Sequence, residues 1–378
     1  MKTIPALFAT ALFGVTTAAS AAPVDFGLTV QGRVGYGSNP HLVEDDNAGA
    51  LLAGIRLAPQ IQTRTATSTS TLSGYYDYTG YTGRYSHSDS FGVNARHEQM
   101  FSPTLSGDIY AGYIDSFNAL FEPLDAIDEV TIGRRQRAVS GGGGLVYTPN
   151  GRDTWSVSGY GSHTFYPSND PRISDYTTYG GTLGYSRLLS EATSVGVQFA
   201  VRQYDSELYS HSTSYQPSLT LRHRLSSSWT VDGHVGAIFQ RSGFAGLSSH
   251  STSLGFGANL CRQVPRSTLC FGGSRDTMPS GLGGLRTDTR ATASFDYKLS
   301  ERSSISTSAT YGHSESASFL ALTDQDYGIV RGAYNHRLTE RLSIGATLDY
   351  RLQKYEGRRR LNAVAGALNI TARFGRVN

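Results

Sequence analysis

A two-residue alternation of apolar and polar side chains recurs along this chain and restricts it more than any other feature. In Phe26–Tyr36 one parity holds Phe26, Leu28, Val30, Gly32, Val34 and Tyr36, and the other holds Thr29, Gln31 and Arg33. Trp229, Val231, Val235, Ala237 and Phe239 alternate in the same way with Thr230, Asp232 and His234. Ile344, Ala346, Leu348, Tyr350 and Leu352 alternate with Thr347, Asp349 and Arg351. Successive side chains of a β-strand point to opposite faces, so alternation over nine or more residues specifies a strand with one apolar and one polar face.

The connections between these segments are of two kinds. Short ones fall at 64–68, 101–104, 148–152, 188–193, 225–228, 263–266, 299–303 and 338–341. Some nearly copy one another, as Leu299-Ser300-Glu301-Arg302 and Leu338-Thr339-Glu340-Arg341 do. Longer, more varied ones fall at 37–48, 81–88, 115–131, 167–174, 205–213, 241–250, 277–287, 314–325 and 354–359. A hairpin repeated at a nearly constant interval is an architectural period. Strands of about ten residues with short turns at one end and long loops at the other describe an outer-membrane barrel.

The expectation is therefore an all-β chain forming a single antiparallel transmembrane outer-membrane β-barrel. Eight short turns, with both termini on their side, predict about 18 strands, and 16 if one hairpin is misread. A soluble β-sandwich is disfavoured because the strands are long and uniform and none is apolar on both faces. The chain holds 23 Tyr, many at strand ends, where a barrel places aromatic girdles. Strands in lipid must also close on themselves to satisfy their backbone groups.

Composition fits this reading. With 38% hydrophobic residues and a mean hydropathy of −0.30, the chain has no apolar run long enough for a membrane-spanning helix after residue 21. Residues 1–21 read as a secretory signal peptide, with Lys2, an apolar stretch from Ile4 to Val15, and Ala19-Ser20-Ala21 as a cleavage site. Residues 22–378 are then the barrel, expected in the Gram-negative outer membrane, with no N-terminal plug or periplasmic arm. A formal charge of +3 gives no reason to expect nucleic acid as a partner. The only two cysteines, Cys261 and Cys270, sit on the polar parity of neighbouring strands and predict a disulfide across one hairpin.

The polar parity faces the lumen of such a barrel. It is hydroxyl-rich around Ser156, Ser158, Tyr160, Ser162, Thr178 and Thr182. It is basic in an arc running from Arg331, Arg337, Arg351 and Arg373 into Arg33 and Arg56, with Arg96, Arg202, Arg222 and Arg224 elsewhere. Rings of arginine favour anions, so Arg33, Arg56, Arg96, Arg202, Arg222, Arg331 and Arg351 are candidate pore-lining residues. The competing reading is that arginine–acid ladders brace the wall, with Glu98, Asp108, Asp232, Asp296 and Asp349 as partners.

The third long connection carries Asp115, Glu122, Asp125, Asp128 and Glu129 without a basic residue. Folded inward, it would form an acidic constriction against the arginine wall. Outside the lumen, it would be a surface loop held by divalent ions or lipopolysaccharide. No constellation points to catalysis, and no spacing points to a zinc or haem site, so neither enzyme activity nor a cofactor is expected.

Several segments carry a resemblance: Gly35-Tyr36-Gly37-Ser38-Asn39-Pro40, Arg56-Leu57-Ala58-Pro59, the Cys261/Cys270 hairpin, Pro279 to Thr287, and Leu299-Ser300-Glu301-Arg302-Ser303. Together they resemble the β-barrel porin 2 family, some of whose members accompany exopolysaccharide biosynthesis clusters. The resemblance implies a porin-like barrel and a role in exopolysaccharide export, and it supplies no catalytic residues. The partners it suggests are outer-membrane lipid, lipopolysaccharide, the barrel-assembly machinery and polysaccharide-export components. A structural or surface-interaction barrel with a blocked lumen is the alternative function.

Overall fold

The computed structural model describes residues 23–42, 49–83, 86–117, 135–167, 174–206, 210–244, 247–280, 284–316, 324–357 and 359–375, apart from the side chains of Ser210, Phe244, Leu247 and Ser316. The signal-peptide reading of residues 1–21 lies outside them.

The first nine strands are β1 (Val24–Gly37), β2 (Ala50–Arg64), β3 (Ser68–Tyr81), β4 (His87–Ser102), β5 (Leu105–Phe117), β6 (Arg135–Tyr147), β7 (Asp153–Phe165), β8 (Tyr176–Ser190) and β9 (Thr193–Ser206). The other nine are β10 (Ser210–Arg224), β11 (Trp229–Phe244), β12 (Leu247–Val264), β13 (Ser267–Pro279), β14 (Leu285–Lys298), β15 (Ser303–Ser316), β16 (Gln325–Arg337), β17 (Leu342–Tyr355) and β18 (Leu361–Gly375). Each pairs antiparallel with its neighbours in sequence. The β1–β18 ladder, from Gly27↔Gly375 to Gly37↔Ala365, closes the ring. Closure matters because an unpaired backbone amide in hydrocarbon costs several kcal/mol, of order 4–8, and a closed ring has no edge.

All eight short turns lie where the pattern puts them. The strands are longer than the expected ten residues, and six of the nine long connections are shorter than read. The connection read at 241–250 shrinks to 245–246, because β11 and β12 stay paired as far as Phe244↔Leu247. About ten residues suffice to cross the hydrocarbon, so the remainder extends the wall beyond it at the extracellular end.

The alternation sorts the two faces. Leu51, Leu183, Leu219, Leu254, Leu348 and Leu368, all on the outward parity, are more than half exposed. Such a belt of exposed apolar side chains is the signature of a surface solvated by lipid. The barrel is of the outer-membrane transmembrane type. Trp155 and Tyr185 (ring centroids 4.6 Å apart) and Phe199 and Tyr215 (6.4 Å) pair on this surface. Four outward histidines are tied to the hydroxyl directly opposite on the next strand: His97 to Ser70, His163 to Thr177, His223 to Thr193 and His336 to Ser303, at 2.7–2.8 Å. The Cys261–Cys270 disulfide forms between directly paired residues of β12 and β13, on the lumenal parity.

Tyrosine has a second use besides the belt. Several lumenal side chains lie flat across a glycine of the adjoining strand to reach the strand beyond. Tyr327 of β16 passes over Gly312 of β15, and its Oη donates to Asp288 of β14 at 2.9 Å. Tyr160 of β7 passes over Gly180 of β8 to Arg202 of β9, whose Nε donates to Tyr160 Oη at 2.8 Å. A Cβ on Gly180 would stand 2.9 Å from that hydroxyl, so only glycine leaves the path clear.

Candidate functional site

The lumenal arginines face inward as the alternation requires, but three of the six in the arc, Arg33, Arg56 and Arg331, lie against carboxylates. Arg33 of β1 crosses over Gly54 to bond Asp77 and Thr79 of β3. Arg56 lies 3.9 Å from the same carboxylate and stacks on Tyr75, 4.6 Å from the ring centroid. Arg331 is bound to Asp349 at 2.6 Å, and Arg351, on the next lumenal position of β17, is fully buried. Arg96 bridges Glu98 (3.0 Å) and Asp108 (3.5 Å). At Arg33, Arg56, Arg96 and Arg331 a carboxylate thus lies within 4.0 Å of the guanidinium. Asp77, which anchors two of them, is missed by the sequence reading, although its alternation with the outward Tyr76 and Tyr78 places it in the lumen.

Arg222 lies toward the short-turn end of β10, opposite Asp232 of β11, beside a hollow lined also by Glu191 and Arg224. His234 is not directed at Asp232. Its ring lies over Gly257, and Asp232 accepts from Asn259 Nδ2 at 3.4 Å. Among the described residues no group of three or more His, Cys, Asp or Glu side chains is placed to hold a metal ion.

The acidic third connection is mostly outside the described residues, which include neither Glu122, Asp125, Asp128 nor Glu129. Asp115 is described, and it belongs to β5 rather than to a loop. It pairs with Arg137 and shares the outward parity with Val139 and Tyr113. Arg135 (2.6 Å) and Arg137 (2.8 Å) both bind its carboxylate, and Arg135 also reaches Asp89 at 3.1 Å. Asp115 is thus committed to a compensated cluster at the extracellular rim, and not to the lumen wall.

A different segment narrows the lumen. The β12–β13 ladder runs only from Val264↔Ser267 to Phe256↔Arg275, whereas β12 stays paired with β11 over its whole length. Beyond Arg275 the β13–β14 hairpin parts from β12 and its tip turns inward, while β14 stays paired with β15 as far as Arg286↔Ser316. Its outward-parity side chains are consequently buried against the inner face of β9–β11. Thr277 Oγ1 bonds Ser214 Oγ at 3.2 Å, Tyr204 Oη donates to the Ser280 carbonyl at 3.1 Å, and Gln240 Nε2 to the Leu285 carbonyl at 2.7 Å. Leu285, 1% exposed, inserts into a cluster of Tyr166, Tyr176 and Tyr204. The described residues of the run from Pro279 to Thr287, singled out in the sequence by its family resemblance, belong to this inward segment.

Residues 38–42, which follow β1, turn inward too, with Asn39 and Leu42 at positive φ (84° and 50°). Leu42 packs on Ala363 and Ala365 of β18, and the His41 ring lies 5.3 Å from Tyr81 and 4.7 Å from Phe117. The extracellular half of the lumen is therefore narrowed from two sides. Beneath the hairpin a cavity of about 410 Å³ remains, bordered by Arg202, Ser162 and Thr178 from β7–β9 and by Asp276, Asp288 and Arg290 from β13–β14.

No protein-family model matches this chain, and no curated protein matches it by sequence. Solved structures match its shape. OccK2 (OpdF) of Pseudomonas aeruginosa in complex with glucuronate aligns at a TM-score of 0.51 with 12% identity, over 94% of this chain and 98% of that one. OpdK of Pseudomonas aeruginosa with vanillate aligns at 0.50 with 12% identity, over 93% and 99%. A BenF-like porin of Pseudomonas fluorescens Pf-5 aligns at 0.50 with 9% identity, over the same shares. At such identities the likeness is one of fold: an outer-membrane porin-type barrel, matched along nearly its whole length.

Proposed function

We propose that this chain is an outer-membrane channel for small polar solutes, narrowed by the inward β13–β14 hairpin. The observation that carries the reading is a closed barrel with a polar inner face, narrowed at one level by the hairpin. Solved barrels of similar shape hold glucuronate and vanillate, both small polar molecules, which agrees with it. Infolding from two sides favours a small solute over a polysaccharide strand. In this reading the arc of Arg33, Arg56, Arg331 and Arg351 supports the wall, and Arg202 acts on the solute. The lipid-facing belt and the Asp89–Asp115–Arg135–Arg137 rim would meet lipid and lipopolysaccharide. Folding would depend on the barrel-assembly machinery, with the strand from Gly366 to Phe374 as its signal.

The second reading, a barrel blocked in service of a surface role, draws on the same infolding. Planar-bilayer recording of the refolded protein separates the two. A steady conductance that grows when residues 280–284 are deleted supports the channel. Silence of the folded, intact and deleted forms alike refutes it.

A further inference from the structure

Two opposite charges border the cavity under the hairpin without belonging to any ion pair among the described residues. Arg202 is spent on neutral partners, its Nε on Tyr160 Oη (2.8 Å) and its Nη1 on Thr277 Oγ1 (3.4 Å). Among the described residues no carboxylate lies within 4.0 Å of it. Asp276 accepts the Thr277 N–H at 2.7 Å and likewise has no cationic partner within 4.0 Å. Its neighbours behave otherwise, since Asp288 is closed off by Arg290 at 2.8 Å and by Tyr327. Both groups line one cavity, Arg202 from the β9 wall and Asp276 from the infolded hairpin, with no N···O contact within 4.0 Å between them.

We propose that this cavity is a binding site for a small zwitterion of the α-amino acid class, with its carboxylate on Arg202 and its ammonium on Asp276. The assignment rests on the channel reading above and names the solute class. The physical argument is one of exclusion. A simple anion satisfies Arg202 but faces Asp276, and a simple cation has the reverse difficulty. A neutral sugar leaves both charges stripped of water without compensation. A solute carrying both signs a few ångströms apart satisfies both at once. The Ser162 and Thr178 hydroxyls, hydrogen-bonded to each other at 2.7 Å, keep one donor and free lone pairs for a polar side group.

Solute entry into proteoliposomes holding the full barrel tests this with three matched probes. They are L-glutamine, its deaminated monoanion glutaramate, and its decarboxylated monocation γ-aminobutyramide. Glutamine is expected to enter fastest, by about tenfold, because each partner loses one charge-assisted hydrogen bond. Asp276→Asn should erase the margin over the monoanion alone, and Arg202→Gln the margin over the monocation alone. Equal rates, or either single-charged probe ahead of glutamine in the native protein, overturn the assignment while leaving the channel intact. A folded barrel that passes no ions overturns both readings. The native ranking requires no variant to fold.

Discussion

The inward hairpin is held chiefly by one apolar side chain, so Leu285→Ala should release it. Leu285 is 1% exposed and enclosed by three tyrosines. Truncating a fully enclosed leucine removes its transfer energy and leaves a void, a loss of about 2–5 kcal/mol in protein cores. The site is a docked tip that can relax, so the lower part of that range, about 2–3 kcal/mol, applies. Because every 1.4 kcal/mol is tenfold, the docked-to-undocked ratio should fall roughly 30- to 140-fold. The polar contacts from Gln240, Tyr204 and Ser214 would remain, but water can replace them once the tip lifts. Single-channel recording should show a new, larger conductance level in the variant. A double-cysteine pair in the same background, Ser214→Cys with Thr277→Cys, offers a control: oxidation should restore the native level and reduction release it. Unchanged conductance in Leu285→Ala, with the barrel folded and the engineered crosslink verified by mass, would show that the hairpin does not set the pore.

Two further outcomes concern the wall. Replacing Cys261 and Cys270 by serine removes a closed loop of about ten residues, worth roughly 2–3 kcal/mol in the chain-entropy model. The heat-modifiable gel shift of the folded barrel should then occur at a lower temperature, and reductant should lower it in the native protein alone. Gly312→Ala would put a methyl group into the space of the Tyr327 ring and force it off Asp288. The expected cost is about 1–3 kcal/mol for the stranded polar group, read as reduced folding yield. Gly332→Ala, where an added Cβ meets nothing within 4 Å, should behave as native.

The ring of strands was legible because each crossing repeats one signal: Leu-and-Val parity outward, Ser, Thr and Arg parity inward. The parity even placed the Cys261–Cys270 pair. Strand ends were less legible, since the alternation continues past the lipid and the polar composition of 241–250 looks the same whether it is loop or ladder. The charge state of the lumen was not legible from arginine positions alone. Arg33 is neutralised by Asp77 two strands away, a partner fixed by register and by the clear path over Gly54. The inward hairpin was hidden for a related reason. Nothing about Thr277 or Leu285 as residues says whether their outward parity meets lipid or the inside of the opposite wall. That choice is made where β13 parts from β12, which depends on long-range packing.

The shortened ladder between β12 and β13 makes the circumference of this barrel unequal. A cylinder laced uniformly resists widening everywhere alike, whereas one with a partial slit concentrates strain at the end of the slit. Here the slit ends at Phe256↔Arg275, and the disulfide sits five pairs below, between Cys261 and Cys270. Any parting of β12 from β13 that ran down the ladder from the slit would therefore meet the covalent bond before it reached the short turn between Val264 and Ser267.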